Sequence, residues 1–353
     1  MFRLVLAGIL AIPSILLTIA TAPFIAVLSV PSLLLLVFRK EGNRNNALSP
    51  STGNLTIHVI VFGGSKGIGL AIAKECASTK NLKNLKITIL ARNEENLYRA
   101  QKEIYVAAVS SKTKVEAIRA DVSDYMKLEK IAGQIANNQD RTIIFNCAGI
   151  PYTVGYRELP IDVYEKLCRT NLLGSMYTTR AFLPHIDNGC IVLCSSAVGQ
   201  VGMFGYSAYA PTKFALRGFA EAMHAELIRN KPGVSIQLAF PIDTDTPGYE
   251  EERKMMPEIT KILNEDAGLA KPQDVAKKMV ESSLAKNPTF AVYFTFEGWM
   301  LSNLTAGMSP VSSLIDAITQ VSLNGIFRFI SLFYLNNWWG TIRHYQEKDK
   351  KSN

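Results

Sequence analysis

The chain of 353 residues is 48% hydrophobic and 19% charged, which excludes a disordered chain and allows about two domains. Its five cysteines form no CxxC pair and lie beside no histidine cluster, so we expect reduced thiols and neither a disulfide scaffold nor a bound metal. The formal net charge is +8, but residues 1–48 carry +3 and residues 341–353 carry +2. Because this excess lies beside apolar segments and forms no basic stripe, it favours a lipid bilayer as partner and argues against nucleic acid.

The first apolar segment lies at the amino terminus. From Leu4 to Phe38 the chain has no charged residue, a run longer than the roughly 20 residues that cross a bilayer as a helix. It predicts a membrane anchor over residues 1–40, as one span with an interfacial extension or as a tight hairpin; a buried core helix is the alternative. Arg39 and Lys40 follow the run, so the positive-inside rule places its carboxyl-terminal side in the cytosol. Residues 41–53 are a linker.

Strand-like apolar runs alternate with helical patterns through the middle of the chain. Longer segments with apolar residues at i, i+3 and i+4 separate the runs. Alternation of this kind builds a parallel sheet covered on both faces, so it predicts an α/β fold with a Rossmann-type doubly wound sheet over residues 54–288. The predicted strands are Thr56–Phe62, Leu85–Ala91, Lys114–Arg119, Thr142–Asn146, Cys190–Cys194 and Val234–Phe240.

A glycine-rich loop follows the first predicted strand and leads into a helical pattern that starts at Leu70. Glycines permit a tight turn and a close approach of the backbone to a pyrophosphate, and the following helix begins with free N–H groups. The position between a strand and a helix favours a dinucleotide site over a simple turn. The residues predicted to contact the dinucleotide are Gly63, Ser65, Lys66, Gly67, Ile68 and Gly69.

The end of the second predicted strand indicates which dinucleotide binds. NAD-binding proteins of this fold place an acidic residue there to bind the ribose hydroxyls. This chain has Arg92, which together with Lys66 and Ser65 can pair with a 2′-phosphate. We therefore expect the cofactor pair NADPH and NADP⁺; a solvated surface arginine is the alternative.

A tyrosine and a lysine four residues apart are the candidate catalytic pair. Tyr209 and Lys213 share one face of a helix, and Pro211 between them is tolerated only near the start of that helix. An ammonium near a phenol favours the phenolate, so we expect Lys213 to lower the pKa of Tyr209. Ser196 follows a predicted strand and can hydrogen-bond a carbonyl oxygen. Taken alone, a pair at this spacing is more often structural than catalytic.

Several motifs occur together in one order: the glycine loop, Asp121-Val122, Asn146-Cys147-Ala148-Gly149, Asn171, Ser196 and the pair Tyr209 and Lys213. In the identity and order of these motifs, the chain resembles the short-chain dehydrogenase/reductase family over residues 54–285. The resemblance implies that Ser196 orients a substrate carbonyl and that Tyr209 donates the proton. It also implies that Lys213 binds the nicotinamide ribose, that Asn171 holds a water, and that two chains pair as a homodimer. The further cofactor contacts that it implies are Tyr209, Lys213, Asp121, Val122, Asn146, Ala148, Gly149, Pro241 and Thr244.

The loop after the sixth strand is the usual place for substrate recognition. Residues 240–249, together with residues 210–218, resemble the members of the family that reduce a long-chain sphingoid ketone. Such a substrate carries an amine next to the ketone, so Asp243 or Asp245 is a candidate to attract that cation; the alternative is that both only form turns of a lid. A membrane-anchored reductase of steroids or of very-long-chain 3-ketoacyl-CoA is the rival function. A non-catalytic NADPH-binding membrane scaffold is the remote one.

The carboxyl-terminal part of the chain is apolar again. Residues 289–340 contain three charges, on Glu297, Asp316 and Arg328. A span here would bury Arg328 at a cost of about 2.5–3.5 kcal/mol, which favours an interfacial or re-entrant segment over a second hairpin or a capping helix. The basic tail, residues 341–353, carries two lysines next to its last two residues, like the di-lysine signal of endoplasmic-reticulum membrane proteins. We expect that membrane, with the catalytic domain and the carboxyl terminus facing the cytosol.

Overall fold

The structure of the protein, a computed structural model, describes residues 56–80, 82, 84–135, 140–265 and 268–352, with side chains as far as residue 347. The predicted anchor and linker, residues 1–53, lie outside the described residues. Within the described part, seven parallel strands form one sheet in the order β3-β2-β1-β4-β5-β6-β7. The strands are β1 (Thr56–Phe62), β2 (Asn84–Ala91), β3 (Lys114–Arg119), β4 (Arg141–Asn146), β5 (Gly189–Cys194), β6 (Val234–Phe240) and β7 (Ala291–Tyr293).

The sheet reverses its winding between β1 and β4. The chain builds outward from β1 to β3, then crosses back to β4 and continues outward to β7. Val59 of β1 therefore lies beside Ile87 of β2 on one side and beside Ile143 of β4 on the other. This switch point leaves a crevice at the carboxyl ends of β1 and β4, where ligands bind in folds of this kind. The predicted doubly wound parallel sheet is confirmed.

Helices cover both faces of the sheet. Along the described residues they are α1 (Gly67–Ser78), α2 (Glu94–Ala107), α3 (Tyr125–Ile135), α4 (Ile161–Leu167), α5 (Gly174–Phe182), α6 (Tyr209–Asn230), α7 (Pro247–Met255), α8 (Glu258–Glu265), α9 (Pro272–Leu284), α10 (Phe296–Leu304) and α11 (Leu314–Ser352). Alternate residues of β1 point to opposite faces, so Val59 and Val61 pack with α1, α2 and α9. Ile60 and Phe62 pack with α3, α5 and α6 on the other face.

The sheet continues past residue 288, where the sequence analysis placed the end of the domain. The six predicted strands are confirmed, each to within one residue. Strand β7 was missed because it is three residues long, too short to show an alternating pattern, and lies in the segment assigned to the membrane. The Leu238 N–H of β6 donates to the Phe290 carbonyl oxygen at 2.7 Å, and Leu238 pairs with Ala291. The domain built on the sheet therefore extends beyond residue 288.

The last helix is apolar and mostly exposed. α11 is long and apolar enough to cross a membrane over Leu314–Glu347, with a mean hydropathy of 1.2 and 6% of its apolar stretch buried. It is one continuous helix rather than a re-entrant segment. The Phe327 ring packs edge-on against Trp299 of α10, with ring centres 5.2 Å apart. This contact holds α11 to the globular domain, while its exposed apolar surface indicates membrane association.

A histidine lies inside the sheet layer. His58 of β1 is 0% exposed, and its Nε2 is 2.8 Å from the Thr88 hydroxyl of β2. Its Nδ1 is buried with no hydrogen-bond partner among the described residues. Burial, assisted by the positive charge of Lys86, lowers the pKa of His58 from 6.5 to about 3. The ring is therefore neutral in the folded protein at neutral pH.

His58 should make the protein acid-sensitive. The unfolded chain binds a proton on this ring near pH 6.5 and the folded protein only near pH 3, so the stabilisation from neutral His58 is full above pH 6.5 and is lost as the pH falls below it. At pH 5 we expect a loss of about 2 kcal/mol in the free energy of unfolding. His58→Gln keeps a partner for Thr88 but cannot be protonated, so thermal unfolding of this variant should change less between pH 7.5 and pH 5.

The exposed His185 provides the control. His185→Gln should unfold with the same dependence on pH as the wild-type protein. An equal dependence in His58→Gln would contradict the assignment of the acid sensitivity to the buried ring.

Candidate active site

A cavity of about 890 Å³ opens at the carboxyl ends of the central strands and runs from the glycine loop to α11. Most of the side chains that the sequence selected line it, although they come from seven separate segments of the chain. Asn146 and Asn171 do not. The predicted residues in the cavity wall are Gly63, Ser65, Lys66, Gly67, Ile68, Gly69, Arg92, Asp121, Val122, Ala148, Gly149, Ser196, Tyr209, Lys213, Pro241 and Thr244.

The glycine loop forms a cradle that larger residues would fill. Gly63 has a φ of +76°, and a Cβ there would lie 2.8 Å from the Ala148 nitrogen. A Cβ on Gly69 would collide with the Gly63 carbonyl oxygen. α1 begins at Gly67 without a side-chain cap, so its first N–H groups remain available to an anion. The loop and the helix start thus fit a pyrophosphate.

Positive charge lies at one end of this cradle. Arg92 and Lys66 both line the cavity, and both side chains are exposed. Asp121 lies close by: burial raises its pKa, but hydrogen bonds from Ser123 and the charge of Arg92 outweigh burial and hold the pKa below the usual value. The Asp121 Oδ1 accepts from the Ser123 N–H at 2.9 Å and from its hydroxyl at 2.8 Å. Asp121 is therefore an ionised acceptor at the cavity wall.

The catalytic candidates meet at the start of α6. Tyr209 is the first residue of the helix, and Lys213 lies one turn later with its Nζ 5.5 Å from the centre of the tyrosine ring. The Lys213 ammonium donates to the Cys194 carbonyl oxygen at the end of β5 at 2.8 Å. Ser196 caps a short 3₁₀ turn and hydrogen-bonds Tyr209. The neighbouring Ser195 instead donates to the Lys213 carbonyl oxygen at 3.0 Å, so it holds the helix in place.

The surroundings of Tyr209 keep its hydroxyl protonated. The sequence predicted a lowered pKa for Tyr209 because of Lys213, but in the folded protein the net shift of this pKa is upward. Burial, followed by the negative charge of Glu252, raises the pKa of Tyr209 well above its usual value, against the opposing hydrogen bond with Ser196. Burial also lowers the pKa of Lys213. A neutral phenol is the form that can donate a proton.

The two asparagines act behind the cavity wall. The Asn171 Oδ1 accepts from the Ile150 N–H at 2.8 Å and its Nδ2 donates to the Ile150 carbonyl oxygen at 3.0 Å, so the side chain holds the loop after β4 that carries Gly149. The Asn146 Oδ1 accepts from the Thr178 hydroxyl at 2.7 Å and ties β4 to α5. Both side chains position the residues that line the cavity. The water that Asn171 was predicted to hold stays a prediction.

The sequence reasoning missed an acidic residue in the cavity wall whose charge acts on Tyr209. Glu252 of α7 is 7% exposed, lines the cavity and accepts a hydrogen bond from the Thr153 hydroxyl. Burial raises its pKa to about 7, with a further contribution from Asp243. Thr246 caps α7 and so fixes its helical phase, which brings Glu252 and Tyr249 to one face. The sequence did carry a signal for this helix, because a threonine cap followed by Pro247 is typical of a helix start.

The far end of the cavity is lined by several apolar side chains, with polar ones such as Glu297 of α10 and Arg328 of α11 among them. Side chains from α10 and α11 form this part of the wall, together with residues of the loop before α6. It has room for an alkyl chain that leads from Tyr209 towards the exposed apolar helix. The apolar lining residues are Val201, Met203, Met300, Leu301, Leu304 and Leu335.

Comparison with known families identifies the arrangement. The sequence profile of the short chain dehydrogenases matches residues 57–257, more than half of the chain. The chain belongs to the short-chain dehydrogenase family. It is therefore an oxidoreductase, and the cradle, the exposed arginine and the Tyr209–Lys213 pair fit the nicotinamide dinucleotide that such enzymes use.

Two relatives are similar in sequence to this short-chain dehydrogenase over most of its length. It is 40% identical over 292 residues to a 3-dehydrosphinganine reductase of Danio rerio, and 40% identical over 292 residues to a 3-ketodihydrosphingosine reductase of Mus musculus. Each match covers 81% of this chain and 85% of the relative. A match of this length necessarily includes the centre of the chain and with it Tyr209 and Lys213.

Solved structures support the fold. A short-chain dehydrogenase/reductase of Burkholderia phymatum in complex with NAD superposes with a TM-score of 0.57 at 19% identity, covering 69% of this chain and 90% of that one. An actinorhodin polyketide ketoreductase with NADPH superposes with a TM-score of 0.58 at 23% identity, covering 67% and 94%. At these identities the likeness is one of fold.

The charge of Arg92 should select the phosphorylated cofactor. Arg92→Gln removes a charge-assisted contact to a 2′-phosphate, worth about 1.5–3 kcal/mol, so we expect NADPH to bind about 10- to 100-fold more weakly. NADH, which lacks that phosphate, should bind almost unchanged. Fluorescence titration of the purified, detergent-solubilised protein with each dinucleotide measures both constants. Arg99→Gln, an exposed change on α2, is the matched control, and equal weakening for NADPH and NADH would refute the role of Arg92.

Proposed function

We propose that this short-chain dehydrogenase reduces the ketone of 3-ketosphinganine to the alcohol of sphinganine, with NADPH as the reductant. The observation that carries the proposal is one cavity that joins a protonated Tyr209 to an apolar wall ending at α11. A sphingoid ketone has this division, with a polar head that reacts and a long alkyl chain. The two relatives at 40% identity, which are named for this reaction, support the same substrate.

The side chains divide the work of carbonyl reduction. Ser196 and Tyr209 bind the carbonyl oxygen, and Tyr209 donates its proton to that oxygen as the C=O double bond breaks. Bound NADPH supplies the hydride that adds to the carbonyl carbon. Lys213, close to the ring of Tyr209, stabilises the phenolate that forms and binds the nicotinamide ribose. A water held near Asn171 returns a proton to Tyr209.

The reaction takes place at the cytosolic face of the endoplasmic-reticulum membrane. The charge-free run of residues 1–40, the exposed apolar surface of α11 and the basic tail support this location. A long-chain ketone partitions into the bilayer, so an enzyme held at its surface meets the substrate there. We divide the chain into an anchor (1–40), a linker (41–53), a reductase domain from residue 54, an apolar membrane-associated segment and a basic tail (341–353). The reductase domain runs past residue 288, because β7 completes its sheet.

Two copies of the chain pair as a homodimer. The exposed Phe214 and Ile228 on α6 support this, because apolar side chains on a surface helix mark contact surfaces. The oligomeric state in detergent follows from light scattering coupled to size-exclusion chromatography. A monomer at all concentrations would contradict the pairing.

NADPH oxidation by the purified, detergent-solubilised protein tests the function. We expect turnover of 3-ketosphinganine and much slower turnover of a 3-ketoacyl-CoA and of a keto-steroid. Tyr209→Phe removes the proton donor and should lower kcat about 1,000-fold. Tyr98→Phe, an exposed change on α2, should leave the rate unchanged.

Each alternative outcome identifies a different error. Turnover of another ketone alone would discard the substrate and keep the catalytic residues. Binding of NADPH without turnover of any ketone would indicate a scaffold instead of an enzyme.

A further inference from the structure

We propose that Glu252 binds the ammonium group next to the reacting ketone and makes the enzyme specific for 2-amino ketones. The inference rests on the proposed function and deepens it. It assigns the recognition of the polar head to a residue outside the catalytic set.

The first observation is a buried carboxylate without a cation. Glu252 is 7% exposed and accepts a hydrogen bond from the Thr153 hydroxyl, and it takes part in no ion pair within the described ranges. Its neighbours Glu251 and Glu258, by contrast, pair with Lys254 and Lys261 at the surface. A carboxylate removed from water and left unpaired is costly, and a bound cation would relieve that cost.

The second observation is the position of this carboxylate. Glu252 lines the cavity together with Tyr209, and its negative charge adds to burial in raising the pKa of Tyr209. The amine and the ketone of a sphingoid ketone are on adjacent carbons. A group that binds the amine must therefore lie close to the group that protonates the ketone. Glu252 and Tyr206 both hydrogen-bond Thr153. The ring centres of Tyr206 and Tyr209 are 6.0 Å apart.

The surrounding residues hold the carboxylate in place. Thr153 is fully buried, and the loop that carries it is fixed by the Val154 N–H, which donates to the Gly205 carbonyl oxygen at 3.1 Å. Thr246 caps the helix that carries Glu252. The carboxylate therefore approaches the cavity in a defined position, which favours recognition of a small charged group.

The two aspartates suggested by the sequence fit this role less well. Asp245 is exposed and does not line the cavity. Asp243 lines it, but its carboxylate already accepts from the Asn264 amide at 3.0 Å and hydrogen-bonds Tyr249, and Arg253 lies within electrostatic reach. Asp243 instead adds negative charge beside Glu252, which raises the pKa of Glu252 and strengthens the attraction for a cation.

Glu252→Gln tests the proposal with two ketones. The amide keeps an acceptor for Thr153 and a similar shape, so the fold should be retained. One ketone is 3-ketosphinganine, and the other is the same chain with hydrogen in place of the amine. We expect kcat/KM for the amine-bearing ketone to fall about 10- to 100-fold, mainly through KM, and to change less than about twofold for the ketone without the amine.

The controls separate recognition from other effects. Glu251→Gln, an exposed change one residue away, should leave both ketones unaffected, and the affinity for NADPH reports that each variant is folded. An equal loss for both ketones, or a lower kcat with a shifted pH profile, would mean that Glu252 acts through Tyr209 and would overturn the proposal.

The wild-type protein gives an independent test. It should prefer the amine-bearing ketone at least about 10-fold over the other ketone, and over the same ketone with the amine acetylated. Equal rates for all three would overturn the proposal even if Glu252→Gln does not fold. Turnover of none of them, with NADPH still bound, would instead refute the proposed function.

Discussion

The active site depends on one buried contact, the hydrogen bond from the Lys213 ammonium to the Cys194 carbonyl oxygen. It joins the first turn of α6 to the end of β5, and the Ser195 hydroxyl reinforces the junction by donating to the Lys213 carbonyl oxygen. Because Ser196 follows directly, the same junction sets its hydroxyl against Tyr209. The sheet order then brings this group to the crevice beside β1 and β4. A charge buried in this way must be paired, so the geometry tolerates little change.

The cavity combines two environments that a free surface could not hold together. Its inner end is bounded by backbone N–H groups, Arg92 and the Tyr209–Lys213 pair, which suit a charged dinucleotide and a polar ketone. Its outer end is bounded by α10 and α11, whose apolar side chains suit a hydrocarbon. Since α11 is also the exposed apolar helix, the surface that associates with the membrane and the wall that contacts the substrate belong to one element.

The acidic residues near Tyr209 have opposite effects on stability and chemistry. Burying Glu252 and Asp243 in one cavity costs free energy, as the raised pKa of each shows. Burial, together with the negative charge of Glu252, keeps the Tyr209 phenol protonated, which is the form a reductase needs. A positively charged head group would neutralise this charge when it binds, so the destabilisation in the free enzyme becomes affinity for the substrate.

The local sequence determined the elements whose signals lie within a few residues. Six strands, the glycine loop at Gly63 and the pair Tyr209 and Lys213 were all predicted, because side-chain alternation and turn chemistry are local properties. Three features required the tertiary structure. Strand β7 is formed by pairing with β6 rather than by its own three residues. The role of Asn171 depends on Ile150, far along the chain. The pKa of Tyr209 is set by burial and by the charge of Glu252. Glu252 reaches the cavity only when α7 packs against it, and the spacing of the two residues in the sequence does not indicate that they share a site.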